Sequence, residues 1–162
     1  MSKQGKHKSR RGSVYALLLL IGGIIGTGAY VLLPGTAVAA DIVVYKSPTC
    51  GCCKKWVSHM RENGFSVEVH EQYDVTPKKD EYGVPRRLRS CHTAKVGDYV
   101  IEGHVPADVV QRLLDEKPAI AGVAVPGMPM GSPGMEGPRT DPYHIVSFDK
   151  NRKLRIYASK NQ

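Results

Sequence analysis

The sequence predicts a mixed α/β domain, an open sheet with flanking helices, on three observations. The β-branched and aromatic run Ile42-Val43-Val44-Tyr45 precedes apolar residues Trp56, Val57 and Met60 at helical spacing, and an alternating stretch, 65–70, comes next. Two short candidate strands, 93–96 and 99–101, flank Gly97-Asp98, the signature of a hairpin. A second apolar stripe, Val109, Val110, Leu113 and Leu114, marks another helix.

Taken in order, residues 42–45 read as a buried strand and Lys46-Ser47-Pro48-Thr49 as a turn with cap-forming residues. A helix is expected over about 52–62, stopped by Asn63-Gly64. Strand, helix and strand of this length form a βαβ unit with a right-handed crossover. Residues 73–89 are polar and hold Pro77, Gly83 and Pro85, which predicts an irregular segment with one short helix near 77–82. After the hairpin, Pro106 suits the first turn of a helix that Pro118 ends. From Ala119 to Pro142 the composition shifts to Gly, Pro and Met, and this stretch is expected to be one long loop. Residues 143–148 and 153–157 around Asp149-Lys150-Asn151 predict a second hairpin at the sheet's far edge. A βαβ unit followed by a hairpin and a helix is the thioredoxin-like arrangement, here decorated by the Met/Gly/Pro-rich loop and the C-terminal β-hairpin.

The first forty residues stand apart. Residues 1–11 carry Lys3, Lys6, Lys8, Arg10 and Arg11 and no acid; residues 14–33 lack any charge; Ala37-Val38-Ala39 supplies small residues where a signal peptidase cuts. Residues 1–40 therefore read as an export signal, and 41–162 as the working domain. An uncleaved inner-membrane anchor through residues 14–33 is the alternative, since twenty apolar residues suffice to span a bilayer. The domain is therefore expected to be exported, soluble after cleavage or held at the inner membrane.

Of the formal charge of +8, the five basic residues of the leader carry a large share, and the rest has 18 basic against 15 acidic side chains. The clusters Arg86-Arg87-Leu88-Arg89 and Arg152-Lys153-Leu154-Arg155 lack interleaved aromatics or a groove-reading motif, so they read as a solvated face and no nucleic-acid partner is expected. About 120 residues bury a core without staples, so the cysteines are not there chiefly to hold the fold together.

Three of the four cysteines, Cys50, Cys52 and Cys53, fall within four consecutive positions, at the predicted start of a helix. Unpaired backbone N–H groups and the helix dipole there favour thiolate, the nucleophilic and metal-binding form, and Lys54 and Lys55 add positive charge. Vicinal Cys52 and Cys53 make a strained disulfide, so Cys50 and Cys53 are the one comfortable local pair, a C-x-x-C. Cys52 and the distant Cys91 are left over. Copper(I) is soft and favours thiolate and thioether, and the chain offers four cysteines with Met128, Met130 and Met135 in one loop. Clustered thiolates also favour bridging, which extends the expectation to a multinuclear Cu(I) site.

The duller readings stand beside these. Cys91 also suits a buried apolar position or a disulfide. His92 is a weaker candidate because neighbours on a strand point to opposite faces. His104 suits a cap on the following helix as well as a site role, and Met128 and Met130 suit a greasy lid. His59, His70 and His144 read as surface or structural, and Trp56 as core.

The motifs 45–53 with Trp56, Ser90-Cys91-His92-Thr93-Ala94, 99–107 and 125–135 together resemble the CopG-like family of bacterial copper-resistance proteins. The likeness covers about 41–148, four motifs in the same order. It implies a thioredoxin-like fold in the periplasm and a copper site on the cysteine cluster, with a role in copper redox handling. By position it makes Cys50, Cys52, Cys53 and Cys91 the first-rank ligands and Met128, Met130 and His104 the second. It also implies that Cys91 lies opposite the cysteine-bearing helix. Copper ions and other periplasmic copper-handling proteins are the expected partners. Two alternatives come from other classes: a thiol-disulfide oxidoreductase using Cys50 as nucleophile and Cys53 as resolving thiol, and a zinc-binding module.

Overall fold

A computed structural model of the protein describes residues 41–162; the expected export signal or anchor lies outside these residues. One mixed sheet of seven strands organises them, in the order β2-β1-β3-β4-β5-β6-β7. Strand β1 (Ile42–Lys46) leads through helix α1 (Gly51–Glu62) to β2 (Val67–Glu71), which pairs parallel to it. Helix α2 (Thr76–Glu81) and a 3₁₀ turn (Arg86–Leu88) follow. The hairpin β3 (His92–Val96) and β4 (Tyr99–Gly103) then places β3 antiparallel to β1. Helix α3 (Ala107–Glu116) leads to β5 (Gly122–Val125), parallel to β4, and β6 (Tyr143–Phe148) and β7 (Leu154–Lys160) complete the sheet antiparallel. The βαβ unit, hairpin, helix and far-edge hairpin occur in the predicted order.

The main core forms where α1 and α3 lay their apolar stripes on the sheet. Cys53, Trp56, Val57 and Met60 recur three and four apart and are buried, as are Val109, Val110 and Leu113 of α3. Ile42, Val44, Ala94, Ile101, Val123 and Ile145 meet them from the strands. On the central strands the neighbours Val100 and Ala124 face a second cluster with Val84, Leu88 and Phe148, so period-two alternation divides the apolar residues between two layers.

Three expectations are corrected. Residues 122–125 are not loop but β5, a fully buried strand between β4 and β6. Its Gly-Val-Ala-Val run shows no alternation because both faces are covered, and the flanking Gly and Pro residues mask it. Only glycine fits at its start, since a Cβ on Gly122 would lie 2.2 Å from the Val100 carbonyl oxygen. Pro106 sits at the N-cap of α3 rather than inside its first turn. The cap on that helix comes from elsewhere: Ala107 N–H donates to His59 Nε2 at 3.1 Å, so His59, not His104, closes this end.

Residues 126–142 contain no helix or strand, as composition predicts, yet they are internally tied. Gly131 N–H donates to Met135 O at 2.8 Å, Met135 N–H to Ser132 O at 2.8 Å, and Asp141 N–H to Met130 O at 2.9 Å. No helix among the described residues is long and apolar enough to cross a membrane.

Candidate metal centre

Four elements converge at one end of β1 and β3. The Lys46–Cys50 turn brings the chain from β1 to α1, and Cys50 is the N-cap of that helix, its Sγ accepting from Cys53 N–H at 3.3 Å. Sulfur thus takes the place an oxygen usually holds at a helix start. Cys50 and Cys53 are joined as a disulfide, the C-x-x-C pair that spacing singled out. Cys52 lies with its Sγ 3.5 Å from Cys50 Sγ, and it is free, as is Cys91.

Cys91 precedes β3, in a bend between the 3₁₀ turn and the strand. The donor atoms of Cys50, Cys52, Cys53 and Cys91 all lie within 4.8 Å of one another. The same holds for the set Cys91, His92 and His104, so Cys91 belongs to both groups. Its Sγ is 3.0 Å from His104 Nε2 and 3.3 Å from His92 Nδ1. As strand neighbours, His92 and Cys91 would have opposed side chains. Cys91 lies outside the strand, the alternation does not apply, and both residues turn to the same place. The adjacent pair Cys91-His92 was the available signal.

His104 is held from its far side. Its Nδ1–H donates to Pro133 O at 2.7 Å, which leaves Nε2 as the bare nitrogen facing Cys91. A backbone carbonyl in this role is the usual partner that orients a metal-binding imidazole. The contact also docks the Met-rich loop on the site. Gly134, at φ +87°, comes so close to α1 that a Cβ would stand 2.5 Å from Cys52 O and 3.0 Å from Trp56 N. Of the loop methionines, Met128 is 41% exposed, and the Met130 methyl lies against Gly137. Trp56 is core as expected, and it also walls the site: its ring packs 4.4 Å from His92, and its Nε1–H donates to Val105 O at 2.9 Å. His70 and His144 lie elsewhere, paired with Glu68 and Ser159.

Burial sets the protonation of this end of the molecule. It pushes the Cys91 thiol up to about 12, with the neighbouring Cys52 adding to the effect. This thiol therefore keeps its proton near neutral pH until a cation displaces it. Burial also holds His92 well below its ordinary 6.5, and His104 and His59 below it too. As the pH falls through about 6.5 the unfolded chain takes up protons that the folded one refuses, so stability falls with acidification. The metal-free, reduced protein is expected to lose thermal stability between about pH 6.5 and 5. Thermal melts across that range check this, and a flat profile would contradict it.

Chemically, the ensemble is four cysteine sulfurs, two of them free thiols and two joined as the disulfide, with two imidazoles, a set that suits soft or borderline cations, and among the described residues neither donor group includes a carboxylate. Residues 88–135 match the family model described as a protein of unknown function, DUF411. No curated protein matches the chain. Two solved structures do. "Copper resistance protein copG- Form 2" is 42% identical with a TM-score of 0.69, covering 73% of this chain and 95% of that one. "Copper resistance protein copG- Form 1" is 41% identical with a TM-score of 0.70, covering 75% and 97%. At this identity and coverage, and with the cysteine cluster in place, the chain belongs to the CopG family of copper-resistance proteins and its role is copper-related.

Proposed function

We propose that residues 41–162 form an exported, thioredoxin-like domain that sequesters Cu(I) in the periplasm, on the cysteines of the α1 start and Cys91. The observation that carries this reading is the convergence of four sulfurs within 4.8 Å, three from one helix start and one from the bend before β3. Thiolates at that spacing can bridge ions, so more than one Cu(I) per chain is expected. His104 supports the sulfurs, and Met128 and Met130 serve as thioether donors from the docked loop. Opening the Cys50–Cys53 disulfide frees two of the four sulfurs, which couples copper uptake to thiol oxidation state. Residues 1–40 deliver the domain as a cleaved signal or hold it as an anchor.

The direct test is an anaerobic Cu(I) titration of the reduced protein against a competing chelator, with metal analysis of the complex. Tight binding of more than one copper per chain supports a bridged cluster. Retention of zinc that Cu(I) does not displace would instead identify a zinc module. Cys52→Ser separates copper binding from C-x-x-C chemistry, because it keeps Cys50 and Cys53 and removes a sulfur 3.5 Å from Cys50. Cu(I) affinity is expected to fall at least about tenfold in this variant. Full retention of copper would sink the reading.

One observation favours a second reading, thiol-disulfide exchange. Cys50 and Cys53 form a disulfide, with Cys53 fully buried and Cys50 half-buried, so Cys50 offers the reachable sulfur. In that reaction the Cys50 thiolate attacks a substrate disulfide to give a mixed disulfide and a released thiolate. Cys53 then displaces the second substrate sulfur and closes the pair. Insulin reduction by the reduced protein, abolished in Cys50→Ser and intact in Cys52→Ser, is its mark.

A further inference from the structure

Cys91 belongs to no helix or strand, and something other than a backbone ladder must therefore hold it where it meets both donor groups. Three consecutive residues at the end of β4 do this. Glu102 Oε1 accepts Ser90 N–H at 2.5 Å, fixing the residue just before Cys91. Gly103, at φ +68°, receives the Ser90 side chain so closely that a Cβ there would lie 2.7 Å from Ser90 Cβ. His104 then touches Cys91 itself at 3.0 Å. The two-residue bend thus rests on Glu102, Gly103 and His104 in turn.

Glu102 is an expensive way to make such a seat. It is fully buried, and the same oxygen that accepts from Ser90 also takes Lys79 Nζ at 2.6 Å, from a lysine of α2 that is almost as buried. Desolvating both charges offsets most of their attraction, and apolar residues of similar size often serve stability as well or better. Stability alone thus gives little reason for the pair. Its distinctive contribution is geometric: one carboxylate oxygen links α2, β4 and the Cys91 bend. Its second oxygen finds no hydrogen-bond partner among the described residues, and neither do Ser90 Oγ, Thr93 Oγ1 or His92 Nε2. Thr93 pairs with Glu102 across the hairpin, so the polar character behind Cys91 is local and concentrated.

We propose that Glu102 is a positioning residue for Cys91, with Lys79 holding its carboxylate in place, so that the reach of Glu102 to Ser90 N–H decides whether Cys91 joins the other cysteines. This rests on the copper reading of the site for its effect on copper. Its effect on Cys91 itself does not.

Two variants of the full chain separate reach from charge. Glu102→Asp keeps the charge, which the rotatable Lys79 side chain can follow, but withdraws the oxygen from the Ser90 backbone N–H by one methylene. Lys79→Met/Glu102→Gln removes both charges and keeps an acceptor at full length. The first readout is Cys91 alkylation by iodoacetamide in the reduced, metal-free protein, followed by peptide mapping. Glu102→Asp is expected to raise the Cys91 rate roughly 10- to 100-fold, the range set by one hydrogen bond to a charged group. The double variant should stay within about threefold of the native rate, since its neutral acceptor still holds the bend. The second readout is Cu(I) affinity by chelator competition, expected to fall about 10- to 100-fold in Glu102→Asp and to hold in the double variant. If the pair acts only as a stabilising ion pair, the order reverses and the double variant is the damaged one. That reversal, or native-like Cys91 protection in both, overturns the proposal. If the native protein itself does not compete for Cu(I), the copper reading fails, and the alkylation pattern still decides the role of Glu102.

Discussion

Replacing Cys91 with serine is expected to lower the Cu(I) affinity of the reduced protein by about 100-fold or more, a larger loss than changes to groups around the donors give. The reason is its double membership. Its sulfur is within 4.8 Å of the three cysteines at the α1 start and equally within reach of His92 and His104. A hydroxyl in its place is a hard, protonated oxygen with little affinity for Cu(I), so the thiolate half and the imidazole half part company. A consequence follows for the double variant: once Cys91 is gone, His104→Ala adds little further loss, because His104 acts through the place where Cys91 sits. Cu(I) competition titrations of the native, single and double variants measure this. Full additivity of the two substitutions would show that His104 and Cys91 serve different ends. Serine is close to cysteine in volume and Cys91 is only half-buried, so the fold should survive the change and the loss be read as one of binding.

The oxidised protein, with Cys50 and Cys53 joined, is expected to hold Cu(I) at least about 100-fold more weakly than the reduced protein. A disulfide sulfur carries no thiolate charge, so closing the pair withdraws two of four soft donors at once and leaves Cys52 and Cys91 as the only free thiols. Side-by-side titrations of the two forms, with thiol counts taken before each, check the expectation. Equal affinity would mean that Cys52, Cys91 and the two imidazoles suffice alone. Affinity of the reduced protein should also rise with pH, because the Cys91 thiol, pushed up to about 12 by burial, must release its proton when a cation takes the sulfur.

Much of this was legible in the chain itself. The stripes of α1 and α3 and the alternation leading into β2 are written in local periodicity, and the β3–β4 hairpin, buried on both faces, is written in its Gly97-Asp98 turn. The cysteine cluster and its C-x-x-C pair are local too, since one turn of helix brings residues three apart together. Strand β5 was not legible. It is four residues long, covered on both faces and paired with strands distant in sequence, so no periodicity marks it, and Gly122 reads as a loop residue until Val100 O is seen above it.

The sequence by itself determined which soft donors the chain offers, three thiols at a helix start, a fourth thiol and a loop of Gly, Pro and Met, and it ranked His104 but not His92 among the candidates. Only the tertiary structure decided which of them meet. Cys91 reaches the cluster because β3 lies beside β1, His92 joins because the bend before β3 breaks the strand alternation, and His104 is turned by a carbonyl 29 positions away. The physical reason is that composition and spacing specify short-range geometry, whereas a donor set drawn from several elements depends on sheet order, and sheet order is fixed by the packing of the whole core.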